Sequence, residues 1–175
     1  MGSLVELNTL VRIRKRLRRM GKTVVFTNGT FDIVHRGHVE YLAAARRLGD
    51  VLVVGLNTDA SIRRIKGAPR PINQGRDRAA VLAALASVDY VCFFGTDTPA
   101  RLIARLIPDV LVKGADWPVH AIVGREVVER HGGRVRTVRL TPGRSTTGVI
   151  ERILKAYQRN PTAAHKRKGH SGSTP

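Results

Sequence analysis

Two histidines three residues apart, His35 and His38, close the segment TNGTFDIVHRGH, which runs from Thr27 to His38. A β-branched run precedes this segment and a helical pattern follows it. Each imidazole can donate a hydrogen bond to a phosphoryl oxygen, and such donors matter most where negative charge builds in a transition state. Gly29 lets the backbone pass close to an anion. Gly37 removes a side chain that would block approach. His38 falls in the first turn of the coming helix, beside its positive end. A pair so placed needs no protein nucleophile if the attacking group is itself a phosphate. Taken alone, the two could equally be ordinary loop histidines, so their surroundings decide.

Those surroundings alternate strand and helix. The apolar runs KTVVFT, DVLVVGLN, DYVCFF and PDVLVKG read as short strands without alternation, as expected for strands covered on both faces, and RVRTVRL reads as a fifth. Between them GHVEYLAAARRLG, GRDRAAVLAALASV, TPARLIARLI and GREVVERHGG read as helices, and TDASIRRIKGAPRPIN as a helical turn followed by a Gly/Pro loop. The expected fold is a doubly wound, Rossmann-like α/β domain: a five-stranded, mostly parallel sheet with helices on both faces. Residues 1–21 read as an amphipathic helix with a basic outer face, 22–158 as the domain, and 159–175 as a basic tail without acids, expected to be disordered.

Totals narrow the function. At 175 residues and 42% apolar composition the chain suits one globular domain. No run is long enough for a membrane span and no secretory signal is recognisable, so a cytoplasmic protein is expected. The single cysteine, Cys92, lies in a buried-strand pattern; it excludes an intrachain disulfide and a cysteine-built metal site. The net charge of +18 raises nucleic acid as a partner, yet aromatic residues are few and no nucleic-acid module is recognisable.

In a doubly wound sheet the ligand sits at the carboxyl ends of the strands. Those ends carry NGTFDIVHRGH, then NTDASIRRIKG with Arg63, Arg64 and Lys66, then KGADW with Lys113, and finally TPGRSTTG with Arg144 and the hydroxyls of Ser145, Thr146 and Thr147. Cations, amides and hydroxyls on one rim suit a polyphosphate. Neither a P-loop nor a G-x-G-x-x-G fingerprint is present.

With these residues in view, GTFDIVHRGH resembles the H-x-G-H motif of the nucleotidyltransferase superfamily, the relatives of cytidylyltransferases and class I aminoacyl-tRNA synthetases. GRSTTGVI resembles that group's second signature. The order of pieces from residue 22 to about 155 is similar to the family of adenylyltransferases that activate D-glycero-β-D-manno-heptose 1-phosphate, in a stand-alone form. That family usually has cysteine where this chain has Thr30. Threonine at this position resembles the glycerol 3-phosphate cytidylyltransferases, which stand as the alternative.

The resemblance implies in-line attack of a sugar-phosphate oxygen on the α-phosphorus of ATP, with pyrophosphate leaving. It implies Mg²⁺ as cofactor, bridging triphosphate oxygens and taking no protein side chain as ligand. His35 and His38 would serve the α- and β-phosphates, with Lys66 neutralising charge from a mobile Gly/Pro loop. Arg144, Ser145 and Thr146 would meet the β- and γ-phosphates. Thr27, Asn28, Gly29, Thr30, Phe31, Gly37 and Thr147 join the nucleotide- and phosphate-binding set. Lys113 and Asp116 would bind nucleotide or acceptor, and Asp32 would orient the acceptor or the loop. Arg78 could bind phosphate or pair with Asp77 or Asp89. Trp117 could pack or stack on a base. Relatives are often dimers, and the first helix is a plausible interface.

Overall fold

Residues along β2 (Val24–Gly29) point alternately into two different cores, and that alternation organises the molecule. Val25 joins a cluster with Leu52, Val54, Leu56, Val91 and Val110, while Val24 and Phe26 join another with Val53, Cys92 and Leu111. The strands are therefore covered on both faces, which is why their sequences are continuously apolar.

The computed structural model describes residues 1–159. Its elements run β1 (Ser3–Leu4), α1 (Leu7–Arg19), β2, α2 (Arg36–Arg46), β3 (Val51–Asn57), α3 (Asp59–Lys66), α4 (Gly75–Ala84), β4 (Tyr90–Phe94), α5 (Ala100–Leu106), β5 (Val110–Gly114), a 3-10 turn (Val119–Ala121), α6 (Arg125–Arg130), β6 (Arg134–Val138) and α7 (Thr146–Arg159). Helices α2 and α4 cover one face through Tyr41, Leu42, Ala45, Ala79, Leu82 and Ala83. Helices α1, α5 and α6 cover the other through Leu10, Leu102, Ile103, Leu106 and Val128.

The sheet has six strands rather than the expected five, in the order β1-β4-β3-β2-β5-β6, all parallel. The additional strand is β1, which pairs Ser3 and Leu4 with Tyr90 and Val91. Residues 1–21 are thus built into the domain: β1 extends the sheet and Leu10 of α1 is buried in its core. Arg14, one of the cations expected on the outer face of α1, instead turns inward. It is buried, donating from Nη2 to Asp109 at 2.7 Å and from Nε to the Ile107 carbonyl at 3.0 Å. The tail expected beyond residue 159, with His165 and His170, lies outside the described residues.

Three aspartates pin the strand register. Asp50, Asp89 and Asp109 stand just before β3, β4 and β5, and accept the amides of Thr23, Leu52 and Val24 at 2.7–2.8 Å. These amides lie where the sheet begins and would otherwise lack a partner. The chain steps outward from β2 through β3 to β4, then returns to the other side of β2 for β5 and β6. The strand order reverses between β2 and β5, so a crevice opens there at the carboxyl ends.

Candidate active site

At that switch point lies a cleft of about 430 Å³. Its floor is the end of β2 and the turn after it: Asn28, Gly29, Thr30 and Phe31. His35, Gly37 and His38 enter from the start of α2, and Lys66 comes from the last turn of α3. Lys113 and Asp116 follow β5, while Arg144, Ser145 and Thr146 stand at the start of α7.

The histidines lie ring on ring, with centroids 3.8 Å apart and planes 17° from parallel. The edge of Phe31 meets His38 at a centroid distance of 5.1 Å. His35 is the N-cap residue of α2, and its carbonyl accepts the His38 amide at 2.9 Å. A Cβ on Gly37 would lie 3.1 Å from the Arg144 side chain and 3.2 Å from the His35 ring, so glycine is what lets these groups close on each other. Burial first, then the neighbouring His35, pushes His38 down to about 4. Burial and the cations of Arg144 and Arg152 lower His35 as well. His38 is accordingly neutral at physiological pH and donates from one ring nitrogen only. The Nδ1 atoms of both rings and Oδ1 of Asn28 are buried without a hydrogen-bond partner among the described residues. Such groups are costly to leave unpaired and so mark places where a ligand completes the bonding.

Two helix N-termini face the cleft. The amides at the start of α2 lie beside His35, and at α7 the Ser145 hydroxyl accepts the Gly148 amide at 3.0 Å, capping the helix. Capping leaves the first amides of α7 available to an anion. On the opposite wall Lys113 donates weakly to the Asn28 carbonyl at 3.5 Å. Burial lowers its ammonium to about 8, against a smaller opposing pull from Asp116.

Three expected residues take other places. Thr27 is fully buried beneath the floor, its hydroxyl 2.7 Å from that of Tyr41. Asp32 is buried outside the cleft, where it accepts Arg70 Nε at 2.5 Å and the amides of Ile72 and Asn73 at 2.8 and 2.9 Å. Burial raises its carboxyl, but the Asn73 and Ile72 amides and Arg70 outweigh that and hold it below the ordinary carboxylate range. Thr147 is exposed and does not line the cleft, because one residue along a helix turns the side chain some 100° from Thr146. The segment after Lys66 is also less free than expected of a Gly/Pro loop, since Asp32 and Arg78 hold it at Arg70, Ile72 and Asn73.

Sequence reasoning passed over Tyr41, Gly114, Leu140 and Thr141, which also line the cleft; Trp117, for which packing and base stacking were both open, lines it too. Tyr41 carried a signal, since it lies three residues past His38 on one helix face. Leu140 and Thr141 carried none beyond following a strand end.

A parallel doubly wound sheet with a cationic, amide-lined crevice at its switch point defines a Rossmann-like nucleotide-handling domain. The cytidylyltransferase-like family matches residues 26–169, and the chain belongs to it. Its relatives include the bifunctional protein HldE of Syntrophotalea carbinolica, 54% identical over 161 residues that cover 88% of this chain and 33% of the relative. The bifunctional protein HldE of Magnetococcus marinus is 58% identical over 138 residues, covering 79% of this chain and 28% of the relative. The chain spans about a third of the length of these relatives. Among solved structures, a lipopolysaccharide core biosynthesis protein of Thermoplasma volcanium superposes with a TM-score of 0.57 at 30% identity, over 69% of this chain and 98% of that one. A pantoate-beta-alanine ligase of Francisella tularensis shares the fold, with a TM-score of 0.57 at 13% identity, over 90% of this chain and 78% of that one.

Proposed function

We propose that this domain transfers AMP from ATP to a heptose 1-phosphate, giving ADP-heptose and pyrophosphate in the cytoplasm. The single observation that carries the chemistry is the stacked His35–His38 pair, set between two helix N-termini with Lys66 and Arg144 on the same cleft. The likeness to the bifunctional HldE proteins and to a lipopolysaccharide core biosynthesis protein supports the heptose acceptor.

A phosphate oxygen of the acceptor attacks the α-phosphorus, a new P–O bond forms, and the bond to the β-phosphate oxygen breaks. Negative charge spreads over the non-bridging and leaving oxygens. Neutral His38 donates a hydrogen bond there, and His35 does the same from the adjoining ring. Arg144, Ser145 and the first amides of α7 bind the departing pyrophosphate portion. Lys66 neutralises charge at the reacting phosphates, and Lys113 with Asp116 orients the acceptor. Because the acceptor's own phosphate is the nucleophile, no side chain forms a covalent intermediate.

Mg²⁺ would arrive on the triphosphate and neutralise part of its charge. Among the described residues no cluster of three His, Cys, Asp or Glu is placed to hold a metal. Asp116 is the cleft carboxylate with the chemistry to share it.

Thr30 lines the cleft and keeps a second reading in view, transfer of CMP from CTP to glycerol 3-phosphate. Pyrophosphate release with Mg²⁺ separates the two when ATP and CTP are crossed against D-glycero-β-D-manno-heptose 1-phosphate and glycerol 3-phosphate. Release from ATP with the heptose phosphate alone, about 10²–10³-fold slower in His35→Ala, supports the first reading. Release from CTP with glycerol 3-phosphate overturns the acceptor and the nucleotide but keeps the mechanism.

A further inference from the structure

Arg78 is the largest fully buried side chain of the described residues, and it does not itself line the cleft. Its guanidinium reaches four separate pieces of chain. Nη1 donates to the Thr30 carbonyl at 2.6 Å and Nε to the Asn73 carbonyl at 3.1 Å. Nη2 donates to the Asn57 carbonyl at 2.9 Å and to Asp59 Oδ1 at 2.6 Å. Asp59 opens α3 and also accepts the Gly75 amide through Oδ2 at 3.1 Å. One cation thereby joins the turn after β2, the end of β3, the start of α3 and the loop that follows Lys66.

The turn it holds needs holding. Phe31 adopts φ 41°, a left-handed conformation that a non-glycine residue takes only when its surroundings impose it. Arg78 fixes the carbonyl before Phe31, and Asp32, anchored by Arg70 and two amides, fixes the residue after it. The ring of Phe31 then rests against His38 on one side and beneath Gly29 on the other, where an added Cβ would meet it at 3.0 Å. Lys66 sits at the far end of the same helix that Arg78 grips through Asp59.

We infer that Arg78 is a positioning residue for nucleotidyl transfer, holding the Thr30–Asp32 turn against α3 so that His38 and Lys66 keep their separation. The inference rests on the proposed nucleotidyl-transfer reading. A group that only holds up the fold would cost stability and leave the chemistry of the folded fraction intact. A group that sets the spacing of reacting groups costs kcat in fully folded protein, because a displacement of about 1 Å is worth about 10²-fold in rate.

The test compares wild type, Arg78→Lys and Asp59→Asn by steady-state pyrophosphate release, with circular dichroism for folding and quenching of Trp117 for ATP binding. Lysine keeps the charge but loses the planar fork that reaches four acceptors at once. Folded Arg78→Lys should show kcat about 10²-fold lower with KM for ATP within about threefold of wild type. Asp59→Asn should show the same signature at about 10-fold, since it removes the charge and leaves one acceptor oxygen where Arg78 and the Gly75 amide now use two. Folded Arg78→Lys with wild-type kcat, or with KM raised and kcat kept, overturns the inference. If Arg78→Lys does not fold, Asp59→Asn decides alone, and wild-type kcat in that variant overturns it. Silence from folded wild type with every substrate pair overturns the nucleotidyl-transfer reading itself, and the inference falls with it.

Discussion

His35 and His38 stack with ring centroids 3.8 Å apart, yet neither Nδ1 has a partner among the described residues. Two half-buried imidazoles in contact would repel if both were charged. The pair is stable because burial and mutual proximity keep His38 neutral, pushed down to about 4. Its donor capacity is therefore set before substrate arrives, and no reorganisation is needed as charge develops on the phosphate.

Replacing either ring by alanine should cost about 10²–10³ in kcat, comparable to losing one oxyanion donor elsewhere. Because the rings support each other, the double variant should lose little more than the worse single one. Single-turnover rates of the three variants check this. A double loss equal to the product of the singles would mean that the rings act independently.

The folded value of His38 lies well below that of the unfolded chain, so acid protonates the unfolded state first. Stability is full above about pH 6.5 and is progressively lost toward pH 4. Melting temperature followed from pH 7.5 to 4.5 should fall across that window. His38→Asn should flatten the slope, and an unchanged slope would mean that another group drives acid unfolding.

Burial lowers the Lys113 ammonium to about 8. An anionic substrate binds the charged form, so kcat/KM should hold below pH 8 and decline above it. Lys113→Met should be slower throughout and lack the decline. A wild-type profile that stays flat to pH 9.5 would remove Lys113 from substrate binding.

Asp32 lies outside the cleft, and its replacement should be felt in stability. Asp32→Ala strands Arg70 and two amides that the buried carboxylate now accepts, and should cost about 3–5 kcal/mol in urea unfolding. Asp32→Asn retains one acceptor oxygen and should cost less. If Asp32→Ala unfolds like wild type but loses activity, Asp32 acts on the acceptor instead.

Much of this site was legible because chemistry and topology coincide. Apolar runs located the five long strands, and reading the residues at their ends brought His35, His38, Lys66, Lys113 and Arg144 to one rim, where the structure places them. Strand β1 escaped notice because two residues have no periodicity and are held by backbone bonds alone, such as the Val5 amide to the Val91 carbonyl at 2.9 Å. For Arg78 the sequence leaves open a phosphate or a pairing with Asp77 or Asp89. Its true partner, Asp59, lies nineteen residues away across α3, and charge in a sequence does not reveal burial. Arg14 misled in the same way, since a cation within a basic run looks solvated until the Asp109 carboxylate beside it is seen.

Strand β6 closes the sheet opposite β1, with Arg134, Arg136 and Thr137 exposed. A bare strand edge is a template for any passing chain, and in concentrated protein it seeds insoluble ribbons. Here a stranger docking alongside would have to set its own backbone against two guanidinium groups, and a second copy would bring the same charge to meet them. The arginines that look incidental to catalysis thus stand like a selvedge, placing charge along the margin where an unfinished sheet would invite another strand.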